Sequence, residues 1–482
     1  MQSRYDMQRN FDRSRGLLTS VPGERSVERL RIEGALPEAL RGTLYLAGPG
    51  KFETAQGEQY AHVFDGDGMI AAFTMRDGQA AFANRFIRTP KFIAEERAGR
   101  RRYGSFGMTP PAGWLGLRRP GSFKNSINHG VVALHGRLLA LNDATLPVEL
   151  DPVTLATRGV HDFGGALPRT GIFASHPHWL DDPYEAYLVT TNPVGLRPSV
   201  TVWRTCGGPA ARLATHPLPH LTFIHDFAVT REHLVLSVGS LSFEWRGLAR
   251  WAAGLGSLAS CFRWLADTPN TILLLRRSDG ALLRTYEVEP SFLFHVSNAY
   301  DDDDGSVVVD VAWYQHSSII TNHLAKFLHT SSTPEEFRQA MPELRRLRLA
   351  PDGRATTTAF ADIAMEFASY PEDMYAKKHR YLYPLDVGCY ARLLKLDTRT
   401  GGVVAVDFGA SMFGSEATFV RKPASRSEDD GWLLSCVYDS DDHHSFLSVV
   451  DALDMQEIAR AHAPMHVPIR FHGTFLPGVQ LG

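Results

Sequence analysis

Histidine is the residue type through which this chain could do chemistry: it carries 20 of them in 482 residues. Neutral imidazole ligates borderline metals and titrates near neutrality. Four histidines stand at the edges of strand-like runs among distinctive neighbours: His176 in FASHPHWLDDP, His225 in FIHDFAVT, His295 in FLFHVSNAYDDDDG and His472 in PIRFHGTF. Their intervals of 49, 70 and 177 residues fit no local metal motif. Spacing alone therefore does not separate these four from the others, and a lone histidine is more often a hydrogen-bonded structural residue. Other machinery is missing. The sequence has no GxSxG, HExxH or GxxxxGK[ST], and the GDG at Gly66–Gly68 lacks the third glycine of a dinucleotide loop.

The elements that must hold such residues read as short strands. Apolar or alternating runs recur at Thr43–Ala47, Ala80–Ile87, Val131–Leu141, Ala186–Thr191, Leu234–Leu241, Thr271–Leu275, Val307–Trp313, Arg392–Leu396, Val403–Phe408, Trp432–Tyr438 and Phe446–Val450. Asp-Gly pairs such as Asp77-Gly78, Asp279-Gly280 and Asp304-Gly305 lie between runs, where a primed hairpin turn needs residues tolerant of positive φ. The reading is antiparallel β. With no signature repeated at a fixed period, it does not separate a propeller from large sandwiches or barrels.

Two stretches break the pattern. Pro334–Arg348 reads as a short charged helix, or two helical turns split at Pro342. In Ser240–Ala266, Leu241, Trp245, Leu248, Trp251, Leu255, Leu258, Phe262 and Leu265 recur at three- and four-residue steps beside Arg246, Arg250 and Arg263. Such a stripe suits an interfacial helix or a helix packed on its own core, and Gly254 and Gly256 interrupt it.

Composition narrows the function classes. With 50 Lys+Arg against 53 Asp+Glu and 44% hydrophobic residues, the chain is neither disordered nor a coiled coil, and lacks the clustered basic face that nucleic acid requires. Cys206, Cys261, Cys389 and Cys436 form no CxxC pair, so reduced thiols are expected. The N-terminal arm, residues 1–30, carries six arginines but no apolar signal core, and no run reaches the length of a spanning helix. The expectation is a cytoplasmic protein, at most peripheral to the inner membrane face, with no obligate protein partner evident.

The wording around the histidines resembles the carotenoid cleavage oxygenase family, nearly from end to end. RGTLYLAGPG at Arg41–Gly50, FDGDGM at Phe64–Met69, NRFIRT at Asn84–Thr89 and GRLLAL at Gly136–Leu141 are followed by HP, IHDFA, FH, EF with HRYLY, EDDGWLL and FHGTF. FGMTPPAGWLGL and FIHDFAVT are most similar to the bacterial apocarotenoid oxygenases.

The resemblance implies a single-domain, all-β, seven-bladed β-propeller over residues 1–482, with a helical and loop cap above Fe(II) on its axis. By motif it implies that His176, His225, His295 and His472 ligate that iron, with His178 a neighbour. Four neutral imidazoles suit Fe(II) and leave coordination positions free for O2. The HxD or HxE opening of a two-histidine, one-carboxylate site is absent here. Three outer carboxylates are implied to orient the rings. Glu366 and Glu416 match two of them; the third position holds Asp143 where the family usually has Glu. Asp is shorter by roughly 1.5 Å, so its hydrogen bond is expected to pass through a shifted backbone or a water, or to be lost, and Asp143→Glu to hold or improve iron retention.

Further departures are EFASYP for EFP, Asn142 where relatives often carry an aromatic, and SINH at Ser126–His129 for ANTN. His129 has no counterpart as a ligand and reads as structural. Phe223, Phe294 and Phe367 match aromatics that line the family's substrate tunnel, a setting suited to a rigid polyene. The implied activity is Fe(II)- and O2-dependent cleavage of a conjugated C=C bond in an apocarotenoid or carotenoid, giving aldehyde or ketone products. A stilbene or phenylpropene is the alternative substrate, and a non-catalytic propeller that binds an apolar ligand is the alternative outside enzymes.

Overall fold

The structure is a computed structural model that describes residues 12–112, 123–143, 145–168, 172–181, 184–192, 197–329 and 333–482. Residues 1–11 of the N-terminal arm and the Gly113–Leu117 end of FGMTPPAGWLGL lie outside them. The described residues are mostly β, in antiparallel sheets of consecutive strands. One sheet, for example, runs through Gly130–Leu134, Arg137–Leu141, Val148–Leu150 and Thr157–Val160 in chain order. Two sheets are completed from opposite ends of the chain: Gly473–Pro477 pairs with Gly42–Lys51, and Arg31–Gly34 with Gln456–His462. These pairings tie the C-terminal FHGTF motif to the first long strand, whose LYLA residues are buried on both faces.

The core lies between sheets. Tyr45, Ile70 and Ala72 of one sheet, for instance, pack on Val131, Leu138 and Val148 of the next. Burying such large apolar side chains contributes roughly 1.5–3 kcal/mol each, so the sheets hold one another through their faces. A separate aromatic cluster, including Phe64, Phe106, Phe243, Phe292 and Phe471, joins the helices Trp245–Ala252 and Leu324–His329 to the sheets.

Most strand-like runs are strands, with informative exceptions. Val131–Leu141 is a hairpin, because His135 and Gly136 both take positive φ and turn the chain. Leu234–Leu241 breaks after Val238; the strand Leu241–Phe243 pairs instead with Phe262–Trp264. Asp77-Gly78 is the primed turn expected of it, both residues at positive φ, whereas in Asp279-Gly280 and Asp304-Gly305 positive φ falls on the glycine alone.

Past Pro342 the expected second helical turn is a strand. Pro334–Gln339 is helical, but Glu343–Leu349 lies against Val307–Tyr314 with Leu344, Leu347 and Leu349 buried. Pairing to an existing strand outweighs the helical propensity of Glu, Leu and Arg. In the 240–266 stretch only Trp245–Ala252 is α-helical, and Leu248, Trp251, Leu258 and Phe262 pack on the aromatic cluster. Trp245 and Leu255 remain 56% and 57% exposed. All four cysteines are free thiols. No described helix is long and apolar enough to cross a membrane.

One glycine shows how the loop ahead of the second sheet is docked. Gly68 donates its N–H to Ser126 O at 2.8 Å, and a Cβ there would lie 1.9 Å from Ile127 O. Gly68→Ala is expected to destabilise the protein by about 1–3 kcal/mol through overpacking, read as a lower urea midpoint.

Candidate metal centre

The candidate residues lie at strand ends and irregularities. His295, Glu366 and Glu416 sit at register shifts within Phe292–Asp301, Ala355–Ser369 and Met412–Arg421. A bulge re-aims a side chain that regular alternation would send elsewhere. At the shift beside Glu366, Phe367 takes φ +54°, a strained conformation for a bulky residue. His176 lies between two strands that both pair with Tyr184–Asn192. His225 precedes Ala228–Val229, His472 immediately precedes Gly473–Pro477, and Asp143 follows Arg137–Leu141. Gly473 is needed next to His472, since a Cβ there would stand 2.8 Å from Tyr45 O.

These elements bring the four histidines together. The Nε2 atoms of His176 and His225, of His225 and His295, and of His295 and His472 are each 3.1 Å apart, and all four ligand atoms lie within 4.8 Å of one another. Ligands at adjacent corners of an octahedron, each about 2.1 Å from a central ion, stand about 3.0 Å apart.

Carboxylates fix three of the rings. His225 Nδ1–H donates to Asp143 at 2.9 Å, His295 Nδ1–H to Glu366 at 2.9 Å and His472 Nδ1–H to Glu416 at 3.2 Å. With the proton on Nδ1, each of these rings turns a bare Nε2 lone pair inward. His176 is kept neutral, far below the usual imidazole range, by burial and by the rings of His472, His225 and His295. Lone pairs 3.1 Å apart repel unless a cation lies among them, so the donor set fits a divalent ion that accepts nitrogen ligands.

The carboxylates are supported in turn. Glu366 also accepts from Tyr314 O–H at 3.0 Å and from Phe367 N–H at 2.7 Å. Burial alone would raise its pKa, but the His295 imidazole and these donors bring it below the ordinary value. Asp143 accepts Ser175 Oγ–H at 2.8 Å and Ser175 N–H at 3.2 Å. Against burial, the neighbouring His225 and His129 hold it well below the usual carboxylate range. The hydrogen bond from His225 to this shorter side chain is thus direct, contrary to the expectation of a water bridge or a lost contact. Glu416 is less enclosed, with one further donor in Gly473 N–H at 3.2 Å.

Two cavities meet at the cluster. An apolar one of about 1050 Å³ is lined by Phe294, Phe367, Ile319, Phe327 and Tyr390 together with His225, His295 and His472. A more polar one of about 790 Å³ lies against His176 and includes Asp226, Ser297 and Thr418. Phe223 lines neither. It faces a third, apolar cavity of about 430 Å³ with Phe106 and Phe243. His178 stays off the cluster, pairing with Asp226 Oδ1 at 2.7 Å, and Asp226 Oδ2 accepts Val296 N–H beside His295. Tyr314, Ser175 and Asp226 escaped the sequence reading. Ser175 and Asp226 adjoin histidines already singled out, but no spacing marks Tyr314.

Known proteins are similar to this chain over most of its length. The family profile described as RPE65, retinal pigment epithelial membrane protein, matches residues 18–477. The apocarotenoid-15,15'-oxygenase of Synechocystis is 30% identical over 472 residues, covering 92% of each chain. The chain belongs to the RPE65 family of carotenoid oxygenases. Its fold is shared with cobalt-substituted Synechocystis apocarotenoid oxygenase, at TM-score 0.87 and 28% identity over 99% of this chain and 100% of that one. Resveratrol cleavage oxygenase 1 of Aspergillus fumigatus is 26% identical over 513 residues, covering 97% of this chain and 96% of its own. As a member of this family, the chain is an oxygenase.

The unequal support of the carboxylates gives a test. Glu366→Gln is expected to weaken Co(II) binding by about 10- to 100-fold, and Glu416→Gln by less, as measured by competition with a chromophoric chelator.

Proposed function

We propose that this chain uses Fe(II) and O2 to cleave a conjugated C=C bond of an apocarotenoid or carotenoid, giving aldehyde or ketone products. One observation carries the reading: four imidazoles converge, and three of them, His225, His295 and His472, open onto an apolar cavity of about 1050 Å³. The family and the Synechocystis relative support it. His176, His225, His295 and His472 would hold the iron, while Asp143, Glu366 and Glu416 keep three of the rings turned inward. Ferrous iron there would supply the activation of O2.

The rest of the site positions. Phe294 stacks over His295 with ring centroids 4.3 Å apart, and Phe367 lies 5.3 Å from it, so flat apolar walls adjoin the cluster. A conjugated chain offers such walls a large apolar surface and few hydrogen-bonding groups. The bond nearest the cluster reacts, and regiospecificity follows from where the chain comes to rest. Phe223 would shape a side recess. Similarity to the resveratrol oxygenase supports a phenolic stilbene as the second substrate class.

The scaffold reading is one propeller domain of seven blades. Early residues of Ala355–Ser369 pair with Glu343–Leu349 and late ones with Tyr381–Asp386. The seven-stranded sheet therefore divides in two, and the larger sheets among the described residues number seven. Exposed Trp245 and Leu255 support peripheral membrane contact by a cytoplasmic protein.

The test is turnover by iron-loaded protein under ¹⁸O2, offered apocarotenals of graded length and resveratrol. The expected result is ¹⁸O in both carbonyl fragments of an apocarotenal. Untouched apocarotenals beside a cleaved stilbene would overturn the substrate assignment.

A further inference from the structure

Two departures in the sequence, the shortened acid at Asp143 and the extra imidazole at His129, meet in space. His129 Nδ1 lies 3.0 Å from Asp143 Oδ2, the oxygen that also accepts from His225 Nδ1 at 2.9 Å. This is a close polar contact outside hydrogen-bond geometry, and neither nitrogen of His129 has a hydrogen-bond partner in the protein. His129 is 95% buried against Phe64, with ring centroids 4.5 Å apart.

The loop that carries His129 is firmly held. Lys124 bridges the buried carboxylates of Asp67 and Glu95, Asn128 donates to Gly66 O at 2.7 Å, and Ser126 O accepts from Gly68. The imidazole is therefore placed by its backbone, with Nδ1 3.0 Å from the Asp143 carboxylate.

We propose that His129 is a positioning residue for the metal centre: it shares Asp143 with His225, occupies the space a longer acid would fill, and clamps the short carboxylate where it can orient the His225 ring. The proposal rests on the reading of the four histidines as metal ligands.

The carboxylate must stay charged to turn His225 Nε2 inward. Because it is buried, each polar group near it matters, since a buried charge left short of partners is strongly disfavoured. Ser175 supplies two donors to Oδ1, while His129 is the protein group other than His225 near Oδ2. Loss of His129 would leave Oδ2 with His225 alone and a void beside it. Lengthening Asp143 while His129 stays would drive the carboxylate into one of the two rings. Each change alone harms the centre, and together they compensate. This reverses the expectation that Asp143→Glu by itself helps.

A double-mutant cycle on cobalt affinity tests this, with Co(II) titrated into His129→Ala, Asp143→Glu, the double variant and the wild-type protein, and its visible spectrum recorded. Each single variant is expected to bind Co(II) about tenfold more weakly, with a shifted ligand-field band, and the double variant to return to near wild-type affinity. His129→Asn, whose amide nitrogen hangs from the same Cγ as Nδ1, should keep both affinity and band, whereas apolar His129→Leu should not. Losses that simply multiply in the double variant, or a His129→Leu protein equal to His129→Asn, would overturn the proposal and leave the metal reading intact. A wild-type chain that takes up no cobalt would sink both.

Discussion

The hydrogen bond from an imidazole Nδ1–H to a buried carboxylate is the interaction on which this structure turns. A histidine free to choose its tautomer presents either nitrogen, and four free rings would not converge. Asp143, Glu366 and Glu416 remove that choice for His225, His295 and His472. Each carboxylate needs donors of its own to stay ionised out of water, which explains why Ser175, Tyr314 and the Phe367 and Gly473 amides crowd round them. The cluster is thus the inner layer of a polar network inside an apolar protein, with a donor set that fits a cation.

Delivering those groups from distant points of the chain is what the sheets accomplish. Regular strands alternate their side chains between faces, so a residue bound for the centre belongs at a strand end or a bulge. The register shifts beside His295, Glu366 and Glu416 fit this requirement, as does the left-handed backbone at Phe367. Pairing Gly473–Pro477 with Gly42–Lys51 locks His472 to a strand more than four hundred residues away in sequence. The same assembly leaves two cavities against the histidines, one apolar and one more polar.

How much of this the sequence disclosed depends on the range of the interaction. Strands such as Val307–Tyr314 were legible because apolar residues in unbroken local runs must be buried. Glu343–Leu349 was not, since its charges mimic a helix and only the neighbouring strand decides otherwise. The histidines became legible through wording shared with a family, and spacing gave no lead. Asp143 was found the same way, but its length suggested a weakened contact. What restores that contact is Ser175, 32 residues on, and the position of His129, which local reading left as a structural residue. Tyr314 had no signal, because its role exists only once Glu366 is folded beside it.

The central claim is that the four imidazoles hold one iron. The most direct measurement is the iron content of the purified chain after anaerobic Fe(II) loading and desalting, beside His225→Ala prepared in the same way. The account predicts about one iron per wild-type chain and its loss in the variant. No iron in either protein, or equal iron in both, would contradict it.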